Sequence, residues 1–214
     1  MRAKYIRTLA ALAAGVATVW SVTAAEGWTR YNFKAGKGNV VAIEGTSTIH
    51  DWRVEGSIIG GYFEAGPGFP TNAAAAKPGK VEAKAEAFIP VRSLKSVENG
   101  KPHSTQMDNI VYEKLLEPTN KQIKFSLKEM TLKEAPAAGK PFVFETKGDL
   151  TVAGATKSVT MPVEMTVGDK ELTFKGEVAA KFTDFKVEPV SAMGGTIKTG
   201  DDLKLSINWM TRTR

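Results

Sequence analysis

The stretch "EGTSTIHDWRVEGSIIGG" (residues 44–61) holds one of the chain's two histidines, beside an aspartate and a tryptophan. His50 and Asp51 are the residue types from which a general base with an orienting carboxylate is built. With His103 and further carboxylates, His50 would also supply ligands for a metal ion. The spacing speaks against both. Adjacent residues in a strand point to opposite faces, so His50 and Asp51 make a poor dyad. No serine motif of the nucleophile-elbow type occurs, and nothing in the spacing brings His103 near His50. A structural reading accounts for the same residues. Thr46, Ser47 and Thr48 end one strand, Gly56, Gly60 and Gly61 let the next one bend, Trp52 packs at the corner, and His50 bonds the backbone there. A hydrolytic enzyme built on His50 and Asp51 is the weaker alternative. Two further segments, "TDFKVEP" and "GGTIKTGDD", are rich in carboxylates. Asp201 and Asp202 follow Gly200 without the regular Asp/Asn/Gly spacing of a calcium loop. They read as a turn before the last strand. The sequence thus predicts no catalytic residue, no metal site and no cofactor.

Arg2, Lys4 and Arg7 precede an apolar run from Leu9 to Val22, about fourteen residues where a spanning helix needs ~20. Small residues follow in "VTAAE". The pattern is that of a secretory leader over residues 1–25, cleaved after Ala24 or Ala25, leaving one domain over 26–214 with no stable membrane anchor. The chain has no cysteine, which removes disulfides, thiol catalysis and thiolate metal sites together. An exported chain without disulfides suits a bacterial periplasm, or secretion, and about 190 residues can bury a core without staples. The net charge is +6, or +3 without the leader (26 basic against 23 acidic residues). The lysines are spread singly, so no basic patch points to nucleic acid.

The elements that must position any site show a period of two almost throughout. "NVVAIEGTSTI", "RVEGSIIGGYF", "KVEAKAEAFIPV", "KQIKFSLKEMTL", "PFVFETKGDLTV", "SVTMPVEMTV", "ELTFKGEVAAKF" and "DLKLSINWM" make eight strand-like segments. Alternation with one wet and one dry face marks antiparallel sheet. "VGDK" (residues 167–170) reads as a two-residue hairpin turn and "AGATK" (153–157) as a slightly longer one. A meander of eight long strands leaves two exposed edges that closure into a barrel removes. "STQMDNIVYEKLLEP" breaks the pattern as one inserted amphipathic helix. Ser104 or Thr105 caps it, Met107, Ile110, Val111 and Leu115 form its stripe, and Pro118 ends it. Such a helix most often packs across an open barrel mouth. The Gly-, Pro- and Ala-rich loop at 64–80 is expected on the surface and mobile.

An eight-stranded barrel is just wide enough to be filled by side chains or to hold one small ligand. Charges fix which face points inward. Lys84, Lys124, Glu145, Glu164, Lys175 and Lys204 share one parity, which cannot be left unpaired in an apolar interior. The opposite parity carries Ile43, Ala83, Ala85, Ala87, Phe125, Leu127, Phe144, Met161, Met165, Phe174, Phe182, Leu205 and Trp209, the residues expected to line a channel. Small side chains leave volume, methionines adapt to an irregular apolar partner, and a cavity of the usual ~300–1,000 Å³ is expected. The competing reading is a non-catalytic structural or stress-related barrel, filled by large residues opposite small ones.

In order along the chain, "IEGTSTIHDWRVEG", "IPVRSLKS" with "MDNIVYEKL" and "QIKFSL", "GDLTVAGATKSVTMPV", and "FTDFKVEPVSAMGGTIKTGDDLKLSINW" resemble the YceI-like family of periplasmic polyisoprenoid-binding proteins. The resemblance spans roughly Asn39 to Trp209. It implies an all-β, eight-stranded antiparallel, lipocalin-like barrel whose apolar channel holds a polyisoprenoid, a quinone tail or a similar long amphiphile, with no enzymatic activity. The expected partner is therefore a lipid, with its chain threaded through the barrel and its polar head near the mouth. A homodimer is left open. The 64–80 loop looks longer than is usual in the family.

Overall fold

In a computed structural model the described residues are 27–214; the leader expected over 1–25 lies outside them. Fourteen strands and one α-helix follow in order. The first half of the chain holds β1 (Thr29–Phe33), β2 (Val40–Ser47), β3 (Trp52–Gly56), β4 (Gly60–Ala65), β5 (Gly79–Lys80), β6 (Ala83–Pro90), β7 (Lys95–Glu98) and β8 (Lys101–Pro102). Helix α1 (Thr105–Lys114) precedes β9 (Gln122–Leu132), β10 (Phe142–Val152), β11 (Ala155–Val167), β12 (Glu171–Lys181), β13 (Ser191–Ala192) and β14 (Ile197–Arg212).

Eight of these strands close into an antiparallel barrel in the order β1-β4-β6-β9-β10-β11-β12-β14 and back to β1. The expected class is the one observed, but the ring closes differently from the sequence reading. β1, which is not among the eight strand-like segments, is the closing strand. It pairs with β4 along its length (Thr29↔Ala65 to Asn32↔Tyr62) and with the end of β14 (Asn32↔Arg212, Phe33↔Thr211). β2, expected to open the barrel, pairs instead with the earlier part of β14 (Leu203↔Gly45 to Asn208↔Val40). β14 is sixteen residues long, enough to serve both partners on one edge. β2 then carries β3, β7 and β8 as a flap outside the ring.

"RVEGSIIGGYF", read as one strand, is therefore two. β3 ends at Gly56 on the flap, and β4 starts at Gly60 in the ring. Between them Ile59 is fully buried, and its carbonyl accepts a hydrogen bond from Trp209 Nε1 at 3.1 Å. Gly60 and Gly61 are obligatory here. A Cβ on Gly60 would lie 2.2 Å from the Phe88 ring, and one on Gly61 2.0 Å from the Glu86 carbonyl oxygen. The β1–β2 loop is tied down by buried Asn39. Its Nδ2 donates to the Lys34 carbonyl at 2.8 Å, and its Oδ1 accepts from the Met210 amide at 2.8 Å.

Some local expectations are corrected. The tight two-residue turn is Ala153–Gly154, both with positive φ (50° and 83°), as a type I′ turn requires. The β11–β12 turn is centred one residue later than expected, with Lys170 left-handed. Asp201 and Asp202 belong to β14 and not to a turn. The Asp201 carboxylate accepts from the Thr183 amide (3.0 Å) and hydroxyl (2.7 Å), while Asp202 pairs with Lys181 at 2.6 Å. Helix α1 is capped by Ser104, whose hydroxyl accepts from the Met107 amide. It stops before Pro118 because Leu116 turns left-handed (φ 52°). The helix docks on the flap through buried Asp108 and Tyr112, and not through the stripe alone. Asp108 Oδ1 accepts from the Ser96 amide at 2.6 Å and Oδ2 lies 3.1 Å from Lys95 Nζ.

Candidate functional site

The inward parity follows the charge argument. Lys84, Lys124, Glu164, Lys175 and Lys204 are exposed and Glu145 is half-buried, paired with Lys133 at 3.3 Å. On β9 the phase slips at a bulge opposite Lys147 and Gly148, so Ile123 and Leu127 give way to Met130 and Leu132 as the inward residues. A strict period of two misses that step. Gly148 makes room there for Phe125, whose ring would meet a Cβ at 2.4 Å.

The interior is filled at one end and hollow in the middle. At the filled end Phe63, Phe69, Phe142, Phe144 and Phe174 form a chain of rings. Phe69 stacks on Phe144 (5.8 Å, 13°) and meets Phe63 edge-on (5.2 Å, 65°), and Phe63 lies 4.7 Å from Phe174. Phe69 comes from the loop expected to be a mobile surface segment. Pro70 is buried beside it, and the part beyond Pro70 is largely exposed. Leu132, Met165 and Leu172, each at most 1% exposed, complete this plug.

Above the plug lies a cavity of about 120 Å³. Of the residues expected to line a channel, Ile43, Ala85, Ala87, Phe125, Leu127, Met161, Phe174, Leu205 and Trp209 border it. Four do not. Phe144 and Met165 are packed into the plug, and Ala83 sits outside the cavity wall at the same end, paired with Ala65. Phe182 lies against Trp52 (6.0 Å, 32°). Alternation alone gives the face of a residue but not its height along the barrel. Val41, Phe63, Ile89, Val159, Val163 and Thr146 border the cavity as well. Thr146 is polar, yet it falls in phase between Phe144 and Gly148. The volume is below the range expected from the sequence, because Phe69 and its neighbours occupy one end.

His50 is exposed. Its Nδ1 is 2.7 Å from the Asp51 carbonyl oxygen, and its own backbone is held by Ser47, whose hydroxyl donates to the His50 carbonyl at 2.6 Å. Trp52 covers Gly45 and donates from Nε1 to the Thr46 carbonyl at 3.1 Å. The stretch is a turned corner. His103 pairs with Glu98 at 3.0 Å on the β7–β8 hairpin. Among the described residues no three His, Asp or Glu side chains are grouped as a metal site.

A family profile described as the YceI-like domain matches residues 29–210. No curated protein matches significantly. Among solved structures, BcnA of Burkholderia cenocepacia superposes with a TM-score of 0.58 at 18% identity, covering 83% of this chain and 98% of that one. A polyisoprenoid-binding domain from Saccharophagus degradans, implicated in plant cell wall breakdown, gives 0.59 at 9% identity, covering 86% and 98%. The YceI protein of Campylobacter jejuni gives 0.53 at 15%, covering 75% and 84%. At these identities the likeness is one of fold.

Proposed function

From the premise that the chain belongs to the YceI-like family, we propose that it is an exported, non-catalytic binding protein that sequesters the apolar chain of a polyisoprenoid or similar amphiphile inside its barrel. The observation that carries this reading is the cavity, bordered almost wholly by apolar side chains and walled on one side by Ala85 and Ala87. Each buried CH₂ group of a ligand contributes ~0.8 kcal/mol, so length supplies affinity with few polar contacts. An enzyme would line such a cavity with convergent ionisable groups; the one charged residue that borders it, Lys124, is exposed. The description of the Saccharophagus domain as polyisoprenoid-binding supports the ligand class. The leader pattern supports export to the periplasm or beyond.

A filled, structural barrel is the second reading, favoured by one observation: about 120 Å³ is short of the ~300–1,000 Å³ of drug-sized pockets. Under the lipid reading the length of chain that exceeds the cavity extends from the end away from the Phe69 plug. Native mass spectrometry of protein purified from whole cells separates the two. The lipid reading expects a co-purifying hydrophobic ligand, or uptake of an added C15 isoprenoid with one-to-one stoichiometry. Protein that carries no lipid and takes up none is the filled barrel.

A further inference from the structure

Thr146 is the one inward residue of β10 with a polar side chain. It is 4% exposed, borders the cavity, and its Oγ1 has no hydrogen-bond partner among the described residues. The other such atom, Asn208 Oδ1, belongs to a residue that does not border the cavity. A buried hydroxyl without a partner is costly. A water molecule is a poor remedy, because it needs two to four polar partners and the neighbours across the ladders are Met130 and Met161. Thr146 stands one inward step from Phe144, at the floor of the cavity where the aromatic plug begins.

We propose that Thr146 is the hydrogen-bond anchor for an uncharged polar group of the ligand, a hydroxyl, carbonyl or amide, which is carried head-first to the cavity floor. This rests on the lipid-binding reading and deepens it. The head is neutral because the floor offers one hydroxyl and no cation; a phosphate or carboxylate there would lose its hydration without a countercharge. Lys124 lies toward the opposite end, on the register of Thr151, and is exposed. The ligand's chain runs back from Thr146 along Ala85, Ala87 and Ile89. The arrangement reverses the orientation expected from the sequence, in which the head stays near the mouth.

Three probes with the same C15 tail test this: farnesol, the hydrocarbon farnesene and farnesyl diphosphate, titrated into the parent protein, Thr146→Val and Thr146→Ser. The expected result is that Thr146→Val weakens farnesol about five- to tenfold, the worth of one neutral hydrogen bond. Farnesene affinity stays unchanged or tightens, and Thr146→Ser keeps farnesol affinity. Unliganded Thr146→Val should melt at or above the parent temperature, since it removes an unpartnered hydroxyl. Equal weakening of all three probes, unchanged farnesol binding, or diphosphate binding more tightly than the alcohol overturns the proposal while leaving lipid binding intact. A marked drop in the melting temperature of Thr146→Val also overturns it, because the hydroxyl would then have an internal partner. If the parent takes up none of the probes, the lipid-binding reading falls and this inference with it.

Discussion

Ala85 faces Phe63 across the β4–β6 ladder and borders the cavity. Ala85→Trp places an indole where a ligand's chain would lie. The expected outcome is loss of isoprenoid uptake while the barrel still melts cooperatively, at a cost of ~1–3 kcal/mol from overpacking. Parallel binding and calorimetric scans check it, and unchanged uptake would move the channel elsewhere. His50 calls for the opposite expectation. It is exposed and its ring contact is to the neighbouring Asp51 carbonyl. His50→Gln should change stability by no more than about 0.5 kcal/mol and leave uptake unaltered. Turnover that disappears with His50 would revive the catalytic alternative.

At the scale of elements, α1 is held to the flap by the Asp108 carboxylate together with the Tyr112 hydroxyl, which donates to the Leu94 carbonyl at 2.9 Å. Burial alone would raise the pKa of Asp108, but the Ser96 N–H and the Lys95 ammonium outweigh it and hold the group below its ordinary value. A depressed folded-state pKa contributes stability that is present above the ordinary carboxylate pKa, ~3.9, and is lost as the pH falls through the folded value. Protection of the Ser96 amide against hydrogen exchange should therefore persist at neutral pH and fall away in acid. Asp108→Ala should abolish that protection and its pH dependence, costing ~1–3 kcal/mol by leaving the Ser96 N–H without its partner. The Phe69 loop is the other element with a separable role. Phe69→Ala removes the ring that bridges Phe63 and Phe144. The expected cost is below the ~3–5 kcal/mol of a fully buried phenylalanine, because Phe69 is only partly buried. The cavity should lengthen, and affinity should shift toward longer isoprenoids in a chain-length series.

For the whole molecule, closure depends on five residues. Deleting Thr29–Phe33 would uncover the edge of β4 and the end of β14, whose unpaired backbone groups are a template for pairing with other chains. Light scattering should report association of the truncated protein under conditions where the parent stays dispersed. A monomeric truncated protein with unchanged melting would show that β1 is dispensable to closure. The export proposal is checked independently, by N-terminal sequencing of protein from the periplasm, with a start at Ala25 or Glu26 expected.

What the amino-acid order determines by itself is the set of faces. Alternating charges such as Lys84 and Glu86 around Ala85 leave only one register in which the barrel interior stays apolar, because a shift of one residue would bury every charge on a strand. Fold class, the phase of most strands and the reading of the His50 stretch as a turned corner follow from such local rules. The closing strand does not: "TRYNF" carries too short an alternation to be seen, and β14 reaches it beyond β2 only through its length and the Asn39 tie. Nor does local pattern tell that β9 changes phase at Lys128, that Phe69 turns inward from a Pro- and Gly-rich loop, or that Thr146 shares the parity of its apolar neighbours. Each of these is set by partners far apart in the chain. Height along the barrel, and hence which inward residues plug it and which surround a cavity, exists only once the ring is closed.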